Sequence, residues 1–531
     1  MKANFTFLII CIAVSLLISC GSQEKKAPTK PNVLFILVDD LGYTDVGFMG
    51  SEFYETPNLD ELASKSAIFT QGYAASAVCS PSRASIMTGR FVSGHGITDW
   101  IGAPEKEDWR RYNRHTRLLP PEYIHALPAE LNTFPELFQQ AGYKTFFAGK
   151  WHLGSEEDQS LPTAHGFDIN VGGFHAGSPA NGRYFAPFSN PQMEDYPEEK
   201  GLNLSMRLAQ ETSKFIQEHQ SESFLAVMSF YAVHGPIQTT EEKWKKYRAK
   251  AEQKGIAETG FEMERILPYR KAQDNPVYAG LVEHMDDAVG LVLDKLKELD
   301  LMENTIIVFT SDNGGVVSGD NYSTNLAPLR GGKGYQWEGG TRVPYLIYVP
   351  WLDQKGERLD TPASGVDFLP TLLDLTGQNP VTENIDGVSL SKVLQGQSLE
   401  TRALIWHYPH YGNQGGEPNS TIRKGKWKLI HYWEDGREEL YDLENDLSEK
   451  KDLIASQSDI AKALSEELMK RLQEDQARYA YPDPEFSPDS SSMVLERFRT
   501  TLLERLENQR KQMLAPDFQP NVDWWGSKVI D

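Results

Sequence analysis

Cysteine is scarce in this chain: 531 residues hold three, Cys11, Cys20 and Cys79. Cys11 lies inside an apolar run from Phe5 to Ile18 and Cys20 stands just past its end, so Cys79 is the sulfhydryl left to the body of the chain. With one thiol there, no internal disulfide can form. Positive charge is also in short supply, with 53 Lys and Arg against 75 Asp and Glu and a formal net charge of -22. That balance excludes a broad basic face for nucleic acid or another polyanion, so an anionic substrate must be met by a local cluster of cations. The single long apolar run is too short for a stable membrane-spanning helix. No internal repeat or low-complexity tract breaks the sequence, and 40% of its residues are apolar, so the chain reads as globular and long enough for a large core or two domains.

The N-terminus reads as a secretory signal over residues 1–19. Lys2 precedes the apolar run, and Leu17-Ile18-Ser19-Cys20 closes it with small residues before a cysteine. This closing tetrad resembles a bacterial lipobox. The resemblance implies a lipid on Cys20 as first residue of the mature chain, and an exported lipoprotein of the outer membrane, facing the periplasm or the exterior. Residues 20–30, polar and carrying Pro28, read as a tether, followed by a catalytic domain at 31–400 and a C-terminal subdomain at 401–531. A lone thiol in an oxidising compartment is either a buried inert residue or a group with a chemical role.

The chemistry-bearing residues stand where strands end. Asn32 to Val38 is a continuous β-branched and aromatic run that stops at Asp39-Asp40-Leu41-Gly42. Such a run predicts a strand buried on both faces in a parallel sheet, and ligands of open α/β sheets bind beyond the carboxyl ends of strands. The design recurs at Thr305 to Thr310, which runs into Ser311-Asp312-Asn313-Gly314-Gly315. Two acid-bearing ends in one crevice would repel each other without a cation, and oxygen donors of this kind suit a hard divalent ion such as calcium. Taken singly, each Asp pair reads as a turn or helix cap; the repetition favours metal. Leu281, Met285, Ala288, Val292 and Leu296 recur at helical spacing, with Asp286 and Asp287 on that helix read as solvated or capping charges. Two further strands, Thr145 to Ala148 and Phe224 to Phe230, lead to Lys150, His152 and His234.

Cys79-Ser80-Pro81-Ser82-Arg83 with Thr88-Gly89-Arg90 resembles the signature of type I sulfatases, members of the alkaline phosphatase superfamily. Asp39-Asp40, the Gly149 to Gly154 segment, His234-Gly235-Pro236, Ser311-Asp312-Asn313-Gly314 and Gly331-Gly332-Lys333 with Glu338-Gly339-Gly340 are similar to further motifs of that family, in its order. The resemblance runs from about Pro31 to the end and is strongest up to about Gly387. It implies an α/β fold with a large, mostly parallel sheet flanked by helices, and a smaller C-terminal part with an antiparallel sheet. It implies that a separate formylglycine-generating or anaerobic maturing enzyme converts Cys79 to formylglycine, whose hydrate is the nucleophile. Asp39, Asp40, Asp312 and Asn313, with residue 79, are implied to hold one calcium ion. Arg83 is implied to fix the hydrate, and Lys150 and Lys333 to clamp sulfate oxygens. His152 is implied to take the proton that regenerates the aldehyde, and His234 or Lys333 to protonate the leaving sugar oxygen.

The implied activity is hydrolysis of carbohydrate sulfate esters, acting from the ends of oligosaccharides of an algal or animal glycan. Two alternatives stand beside it: a phosphonate monoester or phosphodiester hydrolase of the same superfamily, and a glycan-binding lipoprotein without catalysis. His95, His115, His165, His175, Arg183, Trp100, Trp109 and Trp337 are candidates for a sugar subsite, although tryptophan buries a large area wherever it sits. From about Leu404 short alternating runs with tight turns predict an antiparallel sheet, the basic run from Arg423 to Lys428 lying on the solvated face of an edge strand. Two amphipathic helices, about Ile460 to Ala477 and Met493 to Met513, follow around the breaker Tyr481-Pro482-Asp483-Pro484.

Overall fold

The apolar runs become neighbouring strands. The computed structural model describes residues 28–112, 114–191, 193, 201–379 and 384–518. The signal segment, Cys20 and most of the tether lie outside the described residues. Eight strands form the main sheet: β1 (Asn32–Val38), β2 (Ala67–Phe69), β3 (Lys144–Gly149), β4 (Ile169–Val171), β5 (Phe224–Ser229), β6 (Thr305–Ser311), β7 (Tyr345–Tyr348) and β8 (Arg358–Leu359). Their order is β8-β2-β7-β6-β1-β5-β3-β4. All neighbours run parallel except β7, which is antiparallel to both β6 and β2. This is the large, mostly parallel sheet that the sequence led us to expect.

Alternation along β1 splits its side chains between two cores. Leu34, Ile36 and Val38 pack with the helices Leu204–Glu218 and Pro276–Glu298, while Val33, Phe35 and Leu37 pack with Phe134–Gln140 and Phe368–Leu375. Every residue of β1, β5 and β6 is buried, so a near-continuous apolar composition is what both faces require. Asp286 is buried on the long helix, where its carboxylate accepts from the Asn58 and Leu59 N–H groups at 3.0 and 2.9 Å and caps the Pro57–Ala63 helix. Its neighbour Asp287 pairs with Lys243 at 2.8 Å.

The register decides where the site lies. Val38 is level with Ser311, Leu37 with Ser229, and Ser229 with Gly149, so four parallel strands finish side by side. Hydrogen bonds continue past these ends, from Asp312 N–H to Val38 at 3.1 Å and from Lys150 N–H to Ser229 at 2.8 Å.

In the C-terminal part, β9 (Ala403–Tyr408), β10 (Asn419–Lys424), β11 (Trp427–Tyr432) and β12 (Glu438–Asp442) form an antiparallel sheet in sequence order. The Ser458–Glu474 helix covers one face through Ala461, Leu464, Leu468 and Leu472. Ile430 and Tyr432 on the other face pack against Tyr335 and Trp337. The basic run is therefore not an edge. It spans β10 and β11, the two inner strands, and Arg423 and Lys428 are 4% and 1% exposed. The second expected helix is interrupted: Pro488–Arg497 and Leu503–Met513 are joined by a wider turn at Phe498–Leu502. The breaker before it pairs Tyr481–Pro482 with Leu118–Leu119. Among the described residues, no helix is long and apolar enough to cross a membrane.

Candidate active site

The turn that follows β1 places Asp39 and Asp40 in the crevice, with Asp40 at a left-handed φ of 60°. The turn after β3 does the same for Lys150 and His152. Gly149 allows it, because its φ is 106° and a Cβ there would lie 1.8 Å from the Ser229 carbonyl oxygen. Cys79 opens the Cys79–Thr88 helix, all ten residues of which are buried, and it stands at the positive end of the helix dipole. Arg83 follows one turn later on the same helix. The Lys333 loop is held by Lys333 N–H donating to Gly315 at 2.9 Å and Gly334 N–H donating to Ala77 at 2.8 Å, which ties it to the turn after β6 and to the approach to Cys79.

The side chains interlock. Lys150 Nζ donates to Asp39 Oδ2 at 2.7 Å. Arg83 Nε donates to Asp312 Oδ2 at 2.8 Å, and its Nη1 donates to the Lys150 carbonyl and to Ser229 Oγ at 2.7 and 2.8 Å. Lys333 Nζ donates to Asp40 Oδ2 at 2.8 Å, and Asn313 Nδ2 donates to Asp40 Oδ1 at 2.8 Å. His234 Nε2 stands 3.8 Å from Asp40 Oδ2, while its Nδ1 faces the Gly235 carbonyl at 2.6 Å. His152 Nε2 lies 3.0 Å from the Ile101 carbonyl oxygen, leaving Nδ1 buried without a partner among the described residues. A side chain at Gly177 would strike the His152 ring at 2.5 Å, so that glycine shapes the wall beside it.

Three carboxylates and three cations thus share one buried centre. Burial raises the Asp39 carboxyl, against the pull of Lys150. Burial acts on Asp40 in the same sense, but Lys333, His234 and Lys150 outweigh it and hold that carboxyl well below its ordinary value. Lys333 is raised because Asp40 overcomes its desolvation, and Arg83 is raised because Asp312 and Asp39 overcome its own. Burial pushes the Cys79 thiol up to about 12, so an unaltered sulfur at this place is neutral and a poor nucleophile. His152 is pressed well below its usual range by burial and by Lys150, and His234 is lowered by burial and by Lys333.

Donor atoms of Asp39, Cys79 and Asp312 lie within 4.8 Å of one another. Asp39 Oδ1 and Asn313 Oδ1 are buried and have no hydrogen-bond partner among the described residues. Orphaned oxygens among clustered carboxylates are the donor set a hard divalent cation requires, so the residues fit such an ion. All the residues singled out for catalysis and metal binding, Asp39, Asp40, Cys79, Arg83, Lys150, His152, His234, Asp312, Asn313 and Lys333, come together in this crevice. Ser229, which receives Arg83 and donates to the Lys150 carbonyl at 2.7 Å, was not picked out by the sequence, although its place as last residue of β5 marks it.

The sugar-subsite candidates divide. His95 bonds Ser85 at 3.0 Å and His165 bonds Ser160 at 2.8 Å, both inside the fold. Trp337 stacks on Tyr335 with ring centres 5.4 Å apart, and Trp109 is buried with Arg114 over its ring at 4.1 Å. Trp100 and His115 are half-buried, and His175 and Arg183 are exposed.

Parallel strands ending around a buried cysteine, clustered carboxylates with orphaned oxygens and three buried cations make a site suited to an anionic ester. Comparison with known proteins gives the particular family. The sulfatase family model matches residues 31–378, and that of the N-sulphoglucosamine sulphohydrolase C-terminal region matches residues 332–478. The N-acetylgalactosamine-6-sulfatase of Canis lupus familiaris is 30% identical over 440 residues, 78% of this chain and 74% of the relative. A sulfatase of Formosa agariphila is 28% identical over 522 residues, covering 86% and 90% of the two chains. The solved structure of Ps i-CgsB in complex with k-i-k-neocarrahexaose aligns with a TM-score of 0.67 and 26% identity, over 90% of this chain and 99% of that one. The chain belongs to the sulfatase family, of the alkaline phosphatase superfamily, and is a sulfuric ester hydrolase.

Proposed function

We propose that this protein removes sulfate esters from carbohydrates, acting from the ends of oligosaccharides released from a sulfated algal or animal polysaccharide. The observation that carries the reading is the meeting of residue 79 with Asp39 and Asp312 inside 4.8 Å, among Arg83, Lys150 and Lys333. The carbohydrate part is supported by a relative named as an N-acetylgalactosamine-6-sulfatase and by a structural neighbour in complex with a neocarrahexaose. On the same reading the chain is exported and held at the outer membrane by lipid on Cys20, supported by Leu17-Ile18-Ser19-Cys20.

When present, formylglycine at position 79 supplies a hydrated aldehyde as nucleophile, and one calcium ion held by Asp39, Asp40, Asp312 and Asn313 supplies positive charge where the sulfate binds. Lys150 and Lys333 hold sulfate oxygens as point charges. Without a metal the three cations only balance the three carboxylates, so the acids serve to hold a cation and the lysines to orient the anion. Arg83, one turn beyond residue 79, fixes Asp312 and the Lys150 backbone. The Ile101 carbonyl accepts a hydrogen bond from His152 Nε2–H and thereby leaves Nδ1 as the acceptor, the atom that takes the proton as the aldehyde is regenerated. His234 or Lys333 supplies the proton to the leaving sugar oxygen. Assistance of either kind is worth about 10²–10⁴-fold in rate.

Mass spectrometry of the residue-79 peptide from the native host is expected to show the aldehyde. A peptide carrying only thiol would remove the nucleophile from this scheme. Release of sulfate from galactose 6-sulfate, N-acetylgalactosamine 6-sulfate and sulfated carrageenan oligosaccharides tests the substrate class. An enzyme that cleaves 4-methylumbelliferyl sulfate and none of the sugars is not a carbohydrate sulfatase.

A further inference from the structure

We infer that Asn321 is a specificity-determining residue that reads a free hydroxyl on the sugar ring beside the sulfate ester. The inference rests on the carbohydrate sulfatase reading. Asn321 is 5% exposed, and among the described residues neither Oδ1 nor Nδ2 of its amide has a hydrogen-bond partner. It lies between two arms of the catalytic crevice. On one side, a Cβ at Gly235, the residue after His234, would meet its Nδ2 at 3.2 Å. On the other, the carboxylate of the preceding residue, Asp320, stands 3.8 Å from Lys333 Nζ and accepts from Gln414 Nε2 at 2.7 Å.

The backbone around Asn321 is fastened on both flanks. Tyr322 N–H donates to the Gly319 carbonyl at 3.0 Å, the Tyr322 carbonyl accepts from Arg270 Nε at 2.6 Å, and the Tyr322 ring packs edge-on to Phe261 with centres 5.8 Å apart. The amide is thus held in place while its own bonding capacity is left unused. Buried side-chain amides are ordinarily satisfied, and one that is not satisfied destabilises the free protein. A ligand that enters beside Lys333 and His234 removes that deficit.

The chemistry of the amide selects the ligand group. It offers one acceptor oxygen and two donor hydrogens, the complement of a hydroxyl, which both donates and accepts. A second sulfate in that position offers acceptors only, and it would bring its negative charge towards the Asp320 carboxylate. The substrate class that follows is a ring with one sulfate at the cleaved position and an unsubstituted hydroxyl next to it. Sites built to bond a hydroxyl discriminate strongly against analogues that lack it.

The test is a cycle of kcat/KM on galactose 6-sulfate, its 4-deoxy analogue and 4-methylumbelliferyl sulfate, for wild type, Asn321→Ala and Asn321→Asp, all checked for maturation of residue 79 and for unchanged melting. If N-acetylgalactosamine 6-sulfate is the sugar turned over, it and its 4-deoxy analogue take the place of the galactose pair. In Asn321→Ala the ratio of sugar to aryl kcat/KM is expected to fall about 10- to 100-fold, the scale of one lost buried hydrogen-bond partner. The wild type should lose a similar factor on the deoxy sugar, and Asn321→Ala should no longer distinguish the two sugars. Equal losses on sugar and aryl esters, or continued discrimination by the variant, would overturn the assignment. Wild-type cleavage of the aryl ester with no sugar turned over would instead overturn the carbohydrate reading, and this inference with it.

Discussion

Asp99 is 2% exposed, and its Oδ1 accepts from Trp100 N–H at 2.9 Å and from the Tyr408 hydroxyl at 3.0 Å. Its Oδ2 stands 3.6 Å from His410 Nδ1, a buried nitrogen without a hydrogen-bond partner among the described residues. Burial pushes this carboxyl up to about 7. The folded value exceeds the unfolded one of about 3.9, so the contribution of the neutral acid is complete below about pH 4 and is lost as pH rises through 7. Asparagine reproduces the shape of the neutral acid and can donate towards His410. Asp99→Asn is therefore expected to stabilise the protein by about 1–3 kcal/mol at pH 8, and by less at pH 5, in paired urea melts. An equal effect at both pH values would mean that this carboxyl is not the titrating group. At this scale the sequence shows what lies in motifs or at strand ends, as for Asp39, Asp312 and Lys150. It hides Asn321 and Gln414, because a satisfied and an orphaned amide have the same spelling, and only the surrounding packing separates them.

At the scale of elements, β11 braces the loop that carries Lys333. Lys428 on that strand lies 3.1 Å from Glu338 Oε1 and 2.8 Å from Glu449 Oε1, and Glu338 N–H donates to Glu449 Oε2 at 2.6 Å. Burial raises Glu449 to about 7, whereas Lys428 and Arg342 outweigh burial and lower Glu338 to about 2. One ammonium thus serves two buried acids. Lys428→Met is expected to cost about 3–5 kcal/mol in urea unfolding, since it strands charge inside the protein. Adding Glu449→Gln should restore part of that loss; no restoration would mean that Lys428 acts through packing of its stem rather than through its charge. The period-2 pattern of β10 and β11 identified them as strands, but it carries no record of which strands lie on either side. Their charges looked solvated because the partners, Glu338 and Glu449, come from segments outside these two strands. Buried parallel strands were legible for the opposite reason: both faces need apolar residues, so the run itself reports the burial.

For the molecule as a whole, the centre joins segments as distant as Asp40 and Asp312, 272 residues apart, and so exists only when the sheet has closed. A cation that binds this arrangement and not the unfolded chain must stabilise the fold by mass action, by about 2.7 kcal/mol at one hundred times its dissociation constant. On the calcium reading, the melting temperature should rise with added calcium and fall in chelator, and the dependence should vanish in Asp312→Ala. A calcium shift that survives that substitution would place the ion elsewhere. The same closure bears on how residue 79 is reached at all. The helix that begins there is buried along its whole length, so on the formylglycine reading a separate maturing enzyme would meet the sulfur only on a chain that has not yet folded. On that reading modification would come first and collapse second, and a molecule that folded too early would keep its thiol.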